Sequence, residues 1–499
     1  MLKAKVKLDR DYKVGAVDNR IYGSFIEHLG RAVYGGIYEP GHPAADCDGF
    51  RQDVAELVRA LDVPVVRYPG GNFVSGYDWR DGIGTRENRP KRAEQAWYSV
   101  EPNQIGIDEF TKWCKLAGTT PMLAVNLGTL GADEARMEVE YCNMAGGTYW
   151  SDLRRKNGFA DPHGIKLWCL GNEMDGPWQI CHKTAEEYGR IANETAKVMK
   201  WADPSIEVVA CGSSSRGMAT FPEWERVVLE HSYENIDYLS LHQYYGNREN
   251  NFGAFLAESV GMERFIKEVV STCNYVKAKK RGHKDIMLSF DEWNVWYHSN
   301  ATDSAMERWQ FAPPMLEDIY DMTDALVVGT MLNALIRNAD RVKVACLAQL
   351  VNVIAPIMTR NGGPAWRQTI YWPFMHASCF GRGVSLGTLV ESPLYDASNH
   401  SDVPWLDVSA VLDEEKGQLN VFAVNRHPKQ AMDLKIDLKG IGQAELLEHI
   451  VLRHDDLNAV NTEENPDNVS PKLAEGGSVR GGVFTGRLSA ASWNVIRFE

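Results

Sequence analysis

The sequence predicts an α/β protein, a (β/α)₈ TIM barrel followed by a C-terminal β-sandwich of the jelly-roll kind. Eight short apolar runs each end in polar residues, and segments with helical spacing separate them. Buried strands that present polar groups at their carboxyl ends are typical of a parallel barrel. Beyond about Leu386 the pattern changes to short alternating strands without helical segments, which indicates a sandwich.

The eight runs assigned to the barrel are apolar or β-branched, and each leads into polar residues. In chain order they span residues 21–26, 63–67, 122–125, 165–170, 206–210, 236–241, 286–290 and 344–348. Helical spacing occurs between them, for example at residues 53–61, 107–116, 185–201 and 262–279. A doubly wound sheet would instead require a glycine-rich phosphate turn after its first strand, and none is visible in the sequence.

The two ends of the chain carry the pattern that predicts the sandwich. Lys3 to Leu8 alternates lysine with apolar residues, as a half-exposed strand does. Because 499 residues exceed one ordinary core, we expect two or more domains. We predict an N-terminal strand within 1–17 that joins the sandwich, a barrel over 18–385 and the sandwich over 386–499. The predicted sandwich strands span residues 406–412, 419–424, 432–438, 444–452 and 493–498.

Composition disfavours several classes of function. The 53 Lys and Arg against 67 Asp and Glu leave a net charge of -14, which disfavours nucleic acid as a partner. The most apolar run, Ala325 to Ile336, is too short to span a membrane, and the first residues lack a secretory signal. The nine cysteines are scattered without metal-ligand spacing, which indicates reduced core thiols and a cytoplasmic protein.

Two glutamates suggest a chemistry. Glu173 follows the fourth predicted strand and Glu292 follows the seventh, so both side chains are expected at the carboxyl end of the barrel. Glycoside hydrolysis requires two carboxyl groups on either side of the scissile bond. A single glutamate after a strand could equally be a helix-start residue, but the pair in this order favours an active site. The spacing that separates a retaining from an inverting mechanism is left open by the sequence.

Four motifs resemble family 51 of the glycoside hydrolases across nearly the whole chain. They are G-S-F-I-E-H-L-G at 23–30, R-Y-P-G-G-N-F at 67–73, G-N-E-M-D at 171–175 and D-E-W-N at 291–294. The resemblance implies an intracellular, retaining, exo-acting α-L-arabinofuranosidase. Such an enzyme releases terminal non-reducing α-L-arabinofuranosyl residues from arabinan or arabinoxylan oligosaccharides through a covalent glycosyl-enzyme. The resemblance also implies a homohexamer.

The resemblance assigns roles to individual residues. Glu173 matches the general acid/base and Glu292 the nucleophile. The groups that match the sugar-binding set are Glu27, Asn72, Asn172, Tyr244 and Gln349. Taken singly, Asn72, Tyr244 and Gln349 could instead be loop caps or core hydrogen bonders. Arg67 and His242 are expected behind the carboxylates, although His242 could instead be an ordinary core histidine. Trp97 and Trp296 are expected either to stack on the departing sugar chain or to pack in the core.

Alternatives from the same and from another class remain open. Another retaining barrel glycosidase, such as a β-xylosidase or an endoglucanase, fits the same pattern because a fold does not determine the sugar. A sugar-binding protein whose glutamates only accept hydrogen bonds is the third candidate. Glu27, His28 and His242 offer nitrogen and oxygen ligands, but no helical ligand spacing accompanies them, so we expect neither a metal nor a cofactor.

Overall fold

A closed barrel of eight parallel strands forms the centre of the computed structural model, which describes residues 2–499. Met1, the first residue of the predicted N-terminal segment, lies outside the described residues. Each barrel strand pairs in parallel with its two neighbours, and pairing of the fifth strand with the sixth completes the ring. The predicted TIM barrel is therefore confirmed. The barrel strands are Gly23–Phe25, Val65–Tyr68, Thr120–Val125, Leu167–Leu170, Glu207–Ala210, Tyr238–Tyr245, Met287–Val295 and Val342–Ala348.

The sixth and seventh strands extend further than the sequence predicts. The prediction ended them at residues 241 and 290, but they pair with each other as far as Tyr245 and Val295. Their backbone groups stay hydrogen-bonded beyond the rim of the barrel, which lets the polar residues remain in strand geometry. His242, Tyr244 and Glu292 therefore lie on strands rather than in loops, and the prediction was wrong on this point.

Helices pack around the barrel, and their ends follow local sequence signals. Ala185–Ala202 begins with a capping box in which the Thr184 backbone N–H donates to Glu187 Oε2 at 2.9 Å. Among residues 2–499, no helix combines the length and apolar character needed to cross a membrane. The α-helices are Gln52–Leu61, Ile107–Ala117, Ala132–Asn143, Tyr149–Lys156, Ala185–Ala202, Glu223–Ser232, Phe252–Leu256, Glu258–Lys280, Asn300–Ser304, Met322–Arg337 and Tyr371–Phe380.

Helix Met322–Arg337 joins the barrel to the C-terminal sheets. All its residues except Arg337 are buried, because one side packs on the barrel and the other on the sheet that contains Ser492–Phe498. A Cβ added to Gly329 would lie 2.6 Å from Trp493 Cε3, so only glycine allows this close approach. This double contact explains why the most apolar run of the sequence contains no exposed face.

Two sheets form the C-terminal sandwich around a shared apolar core. Ala4 and Val6 of one sheet belong to the same buried cluster as Val408 and Val421 of the other. Leu2–Asp9 pairs in parallel with Met432–Gly440, and Lys13–Ala16 pairs with Val384–Leu386. In spatial order, the strands are Leu389–Glu391, Leu2–Asp9, Met432–Gly440, Val483–Leu488 and Ser478–Arg480 in one sheet, and Lys13–Ala16, Val384–Leu386, Leu406–Asp413, Gln418–Asn425, Ser492–Phe498, Leu446–Leu452 and Lys472–Leu473 in the other.

Smaller elements complete the chain. Arg92–Glu94 and Ser99–Glu101 form a hairpin beside the mouth of the barrel. All nine cysteines are free in the described chain; six are buried, whereas Cys47 and Cys181 are exposed, so the prediction of core thiols is wrong for these two. The other short elements are strand pairs Ile357–Thr359 with Ala365–Arg367 and Leu394–Tyr395 with Val403–Pro404, and 3₁₀ turns at Asn19–Tyr22, Asn72–Gly76, Trp79–Gly82 and Arg86–Asn88.

Candidate active site

A cavity of about 670 Å³ opens at the carboxyl ends of the barrel strands. This is the end of a TIM barrel at which loops and strand ends build active sites. Its volume is in the range of small-molecule sites. Both predicted catalytic glutamates line it. The other polar and aromatic lining residues include Glu27, Asn72, Gln95, Trp97, Tyr98, Trp178, Gln243, Tyr244, Trp296 and Gln349, and the apolar ones include Leu316 and Ile354.

Glu173 lies just after the fourth strand and is buried. Its φ of +44° is unusual for a residue with a side chain, and such strain is concentrated at functional sites. One carboxylate oxygen, Oε1, contacts His242 Nδ1 at 2.9 Å, and Oε2 accepts a hydrogen bond from Trp178 Nε1 at 2.8 Å. Burial raises the pKa of Glu173, and the charge of Glu292 adds to that effect, whereas His242 opposes it.

Glu292 lies within the seventh strand and has a different set of partners. Arg67 Nη1 donates to Oε1 at 2.6 Å, and the Tyr244 hydroxyl donates to Oε2 at 2.8 Å. These two donors orient both oxygens of the carboxylate. Arg67 Nη2 also donates to Asn172 Oδ1 at 2.8 Å, which connects the second strand to the loop that carries Glu173.

The two glutamates are close enough to act on one bond. A carboxylate oxygen of Glu173 and one of Glu292 lie within 4.8 Å of each other and of a His242 ring nitrogen. Retaining glycosidases hold their two carboxyl groups about 5 to 5.5 Å apart, and inverting enzymes about 6.5 to 9.5 Å apart. An oxygen–oxygen distance of at most 4.8 Å is closer to the retaining spacing than to the inverting one.

His242 lies between three carboxyl groups. Besides Glu173, its Nε2 contacts Asp291 Oδ1 at 2.9 Å, and Nδ1 lies 3.6 Å from Glu292 Oε2. Burial lowers the pKa of His242, but the charge of Glu292 and the contacts with Asp291 and Glu173 outweigh it and raise the pKa to about 10. Although burial opposes it, His242 and Arg67 lower the pKa of Asp291. The imidazole is therefore a cation that pairs with Asp291.

Glu27 lies just beyond the end of the first strand and lines the cavity. Its Oε1 accepts hydrogen bonds from the Phe73 backbone N–H at 2.8 Å and from Trp97 Nε1 at 2.9 Å. Gln349 Nε2 donates to Oε2 at 3.4 Å. Burial raises the pKa of Glu27 to about 8. A Cβ on Gly71 would lie 2.5 Å from Glu27 Oε2, which gives a steric reason for glycine in the R-Y-P-G-G-N-F motif.

The remaining predicted residues divide between the wall and the layer behind it. Asn72 lines the cavity and accepts a hydrogen bond from Asn172 Nδ2 at 3.2 Å. Asn172 is 1% exposed, and its amide is already engaged by Arg67 and Asn72. Gln349 Oε1 accepts from the Glu27 backbone N–H at 3.0 Å. Trp296 lines the cavity with its ring edge-to-face against Tyr244, at a centroid distance of 5.4 Å.

Several contributors to the cavity were not predicted. Trp178, 53% exposed, donates to Glu173, and Asp291 is the partner of His242. Leu316 and Ile354 supply apolar wall from loops after the seventh and eighth strands. Asp291 precedes Glu292 on the same strand, so strand alternation with a tightly packed barrel interior could have identified it. The other three lie in loops whose course no periodic pattern predicts.

The residues closest to a metal-binding arrangement are Glu173, His242 and Glu292. A metal ion binds a free nitrogen of a neutral imidazole, however, and both ring nitrogens of His242 are already engaged, Nδ1 by Glu173 and Nε2 by Asp291. The three residues considered and set aside in the sequence, Glu27, His28 and His242, do not converge, because the His28 ring nitrogens contact Glu101 and Tyr68. The donor set therefore fits proton transfer better than cation binding.

Comparison with known proteins agrees with this geometry. Two family models match, the α-L-arabinofuranosidase 1 domain over residues 57–252 and the α-L-arabinofuranosidase C-terminal domain over residues 291–492. An intracellular exo-α-(1→5)-L-arabinofuranosidase of Bacillus subtilis is 58% identical over 499 residues, which cover 100% of this chain and 99% of that protein.

Solved structures give the same picture. A family 51 α-L-arabinofuranosidase from Bifidobacterium longum is 46% identical, with a TM-score of 0.96 and coverage of 100% of both chains. An α-L-arabinofuranosidase from Thermotoga maritima, solved as an arabinose complex, is 35% identical, with a TM-score of 0.88 and coverage of 99% of both chains. The similarity extends over the barrel and the sandwich together.

Proposed function

The chain belongs to the α-L-arabinofuranosidases of glycoside hydrolase family 51, and we propose that it releases terminal non-reducing α-L-arabinofuranosyl residues from arabinan or arabinoxylan oligosaccharides. The family predicted from the four motifs is confirmed. Relatives at 58% identity are named as exo-acting arabinofuranosidases, which favours this activity over a β-xylosidase or an endoglucanase. The sugar-binding alternative is disfavoured for the same reason.

One observation carries the proposed mechanism: two carboxyl groups lie within 4.8 Å of each other but have different partners. Glu292, oriented by Arg67 and Tyr244, attacks the anomeric carbon. At the same time Glu173 donates its proton to the oxygen of the leaving sugar. The bond to the leaving group breaks, a bond to Glu292 forms, and Glu173 becomes a carboxylate.

The second step reverses the roles. The esterified Glu292 no longer carries a charge, so the electrostatic effect that raised the pKa of Glu173 disappears. Glu173 then accepts a proton from water, whose oxygen attacks the anomeric carbon and releases Glu292. Two inversions leave the configuration unchanged. The first step itself therefore removes one of the two effects that raise the pKa of Glu173, the charge of Glu292, whereas the effect of burial remains.

The sugar hydroxyls are proposed to bind the polar side chains that line the cavity around the two glutamates. Glu27, Asn72, Tyr244 and Gln349 line the cavity and offer donors and acceptors suited to a small polyol. Asn172 is assigned an orienting role, since its amide connects Arg67 and Asn72. Trp97, Trp178 and Trp296 are proposed to contact the sugar next to the cleaved bond.

The proposal extends to assembly and location. Relatives of this chain are named intracellular, and we propose that the enzyme is cytoplasmic. We also propose that it works as a homo-oligomer, a homohexamer by resemblance to the family. We further propose two domains, a barrel over residues 18–385 and a sandwich over residues 386–499 that the N-terminal segment 1–17 joins. Size measurement in solution tests the oligomeric state, and limited proteolysis tests the domain bounds.

Kinetics of two variants test the mechanism. Glu292→Ala is expected to lose turnover on every arabinofuranoside, because no covalent intermediate can form. Glu173→Ala is expected to keep the first step on aryl arabinofuranosides, whose leaving groups need no proton, and to be slow on oligosaccharides. Azide should restore the turnover of Glu173→Ala by replacing water as the nucleophile. The anomeric configuration of the glycosyl azide, α or β, then shows whether azide attacked the covalent intermediate or the substrate.

Substrate panels separate the function from its alternatives. The wild type is compared on an aryl α-L-arabinofuranoside, β-xyloside and β-glucoside. Preference for either of the last two would overturn the proposed substrate. Wild-type rates of Glu173→Ala on oligosaccharides would overturn the assignment of the acid.

A further inference from the structure

Three exposed aromatic side chains lie at the rim of the cavity and beyond it. Tyr98, Trp309 and Phe311 are 44%, 47% and 58% exposed, respectively, and we call this set the mouth ledge. Large aromatic side chains are costly to leave in water, so a group of them on a surface indicates a binding function. None of the three has a part in the mechanism above.

The mouth ledge is continuous with the cavity. Tyr98 lines the cavity, and the Trp309 ring stands edge-to-face against it at a centroid distance of 6.0 Å. Phe311 packs on Tyr34 at 5.2 Å. The segment is tied to the hairpin of residues 92–101, because the Val100 backbone N–H donates to the Gln310 carbonyl at 3.0 Å. The ledge therefore begins at the cavity wall and leads outward from it.

The aromatic rings are presented by a constrained backbone. Trp309, Ala312 and Leu316 have φ values of +65°, +43° and +55°, which are unfavourable for residues with side chains. Such conformations persist only where the surrounding structure imposes them. The Arg308 guanidinium lies 3.9 Å from the centroid of the Tyr98 ring and covers one of its faces. Binding to this surface would consequently order few additional side chains.

We propose that the mouth ledge binds the neutral sugar units that follow the cleaved linkage on its leaving-group side, beyond the unit next to the bond. This inference rests on the proposed function. An exo-acting enzyme takes one terminal sugar into the cavity, so the rest of the oligosaccharide must leave past its wall. Flat aromatic side chains supply apolar area for the faces of sugar rings at low entropic cost.

The length dependence of hydrolysis tests the ledge. Trp309→Ala and Phe311→Ala are assayed on a series from arabinobiose to arabinopentaose and on an aryl arabinofuranoside, which has no distal sugar. Both variants are expected to lower kcat/KM for the pentasaccharide about fivefold, mainly through KM. The aryl substrate and the disaccharide should keep wild-type values.

A matched control comes from the far side of the barrel. Trp201 is 74% exposed at the end of helix Ala185–Ala202, with the Lys197 ammonium 5.7 Å from its ring centroid. It resembles the ledge in having an exposed ring near a cation but does not line the cavity. Trp201→Ala should leave the entire length series unchanged.

Two results would overturn the ledge. One is an unchanged length dependence in both variants. The other is an equal loss on all substrates together with a smaller particle in light scattering, which would make the surface a contact between copies of the chain. Calorimetry with Glu292→Ala separates this inference from the proposed function. If the wild type cleaves no arabinofuranoside, the proposed function is wrong. The ledge is still supported if the affinity of Glu292→Ala rises with oligosaccharide length and this rise is absent in Glu292→Ala/Trp309→Ala.

Discussion

At the scale of single residues, the active site balances its charges through the reaction. In the proposed mechanism His242 and Arg67 are the cations, Asp291 and Glu292 the anions, and Glu173 the neutral acid. After the first step Glu292 is an ester and Glu173 is a carboxylate, so two anions again face two cations. The proposed proton transfer therefore moves a negative charge by a few ångströms without changing the net charge of a buried site. Burying an uncompensated charge would be costly.

This balance predicts the protonation of a variant. Replacing the anion at position 292 by a neutral amide in Glu292→Gln should lower the pKa of Glu173, because the charge of Glu292 is one of the effects that raise it. In the wild type, activity should fall as pH rises through the pKa of Glu173, since the acid loses its proton. Carbon-13 NMR of labelled glutamate measures the pKa of Glu173 in the wild type and in Glu292→Gln.

The same experiment has a control within the chain. Glu94→Gln also removes a buried carboxyl group near the cavity, but Glu94 is not among the groups with the largest effects on the pKa of Glu173. A Glu173 pKa that is the same in Glu292→Gln and the wild type would contradict the electrostatic link between the two glutamates.

At the scale of elements, the hairpin of residues 92–101 sets the position of Trp97. Glu94 is buried, and its two oxygens accept hydrogen bonds from the backbone N–H groups of Ala96 at 2.5 Å and Trp97 at 2.7 Å. Trp97 in turn donates to Glu27 in the cavity. One carboxylate thus holds the turn that brings an indole to the part of the cavity wall proposed to bind the sugar.

We predict that Glu94→Gln raises KM on all arabinofuranosides by about tenfold, with a smaller effect on kcat. The amide nitrogen would face a backbone N–H, and an unmet buried hydrogen bond costs about 1 to 3 kcal/mol. Burial raises the pKa of Glu94 to about 7. The wild-type KM should therefore increase as pH falls through 7 and the carboxylate acquires a proton, and this component should be missing in the variant.

Michaelis constants measured across pH test the prediction. Glu87→Gln, an exposed substitution in the neighbouring turn Arg86–Asn88, is the control and should behave as the wild type does. An unchanged KM in Glu94→Gln, with the same pH profile as the wild type, would show that the turn keeps its shape without the carboxylate.

Sequence reasoning succeeded where one local rule determined the outcome. Polar residues at the carboxyl ends of parallel strands meet at one rim, so the convergence of Glu27, Asn72, Glu173 and Glu292 followed from the strand pattern and the closed barrel. The barrel strands and the long helices were predicted for the same reason. Their periodic burial is written into the order of apolar and polar residues.

Sequence reasoning failed where long-range contacts determined the structure. The extension of the seventh strand to Val295 depends on pairing with Tyr245, a contact that no local pattern encodes. Ser478–Arg480 and Val483–Leu488 were missed because Gly481 and Gly482 weaken the strand signal, although their positive φ values form the turn that pairs the two strands. Trp178 reaches Glu173 from a loop whose path depends on the packing around it.

At the scale of the whole molecule, a buried ionic network connects barrel and sandwich. Asp407, on a sandwich strand, accepts hydrogen bonds from Asn333 Nδ2 at 2.6 Å, Arg337 Nη2 at 3.1 Å and Arg426 Nη2 at 2.8 Å. Although burial opposes it, the two arginines lower the pKa of Asp407. Asn333 also accepts a hydrogen bond from Ser409 at 2.7 Å. The asparagine that interrupts the most apolar helix therefore has a place in this interface.

We predict that Asp407→Asn lowers the free energy of unfolding by about 3 kcal/mol, because removing one partner of a buried pair leaves charge without compensation. Arg337 keeps Glu263 as a partner, so the loss falls mainly on Arg426. Calorimetry should show one transition for barrel and sandwich in the wild type. In the variant the sandwich, which contains Asp407 and Arg426, should unfold first and give a second transition. Activity at room temperature should be unchanged, since none of these residues lines the cavity.

The control is a surface pair on the same sandwich. Glu391 and Lys5 are 2.8 Å apart but 76% and 65% exposed, so water screens their attraction and Glu391→Gln should change the melting temperature little. If Asp407→Asn and Glu391→Gln melt alike, the network does not stabilise the interface. If Asp407→Asn melts earlier but still in one transition, the sandwich has no stability apart from the barrel, and the two proposed domains form a single cooperative unit.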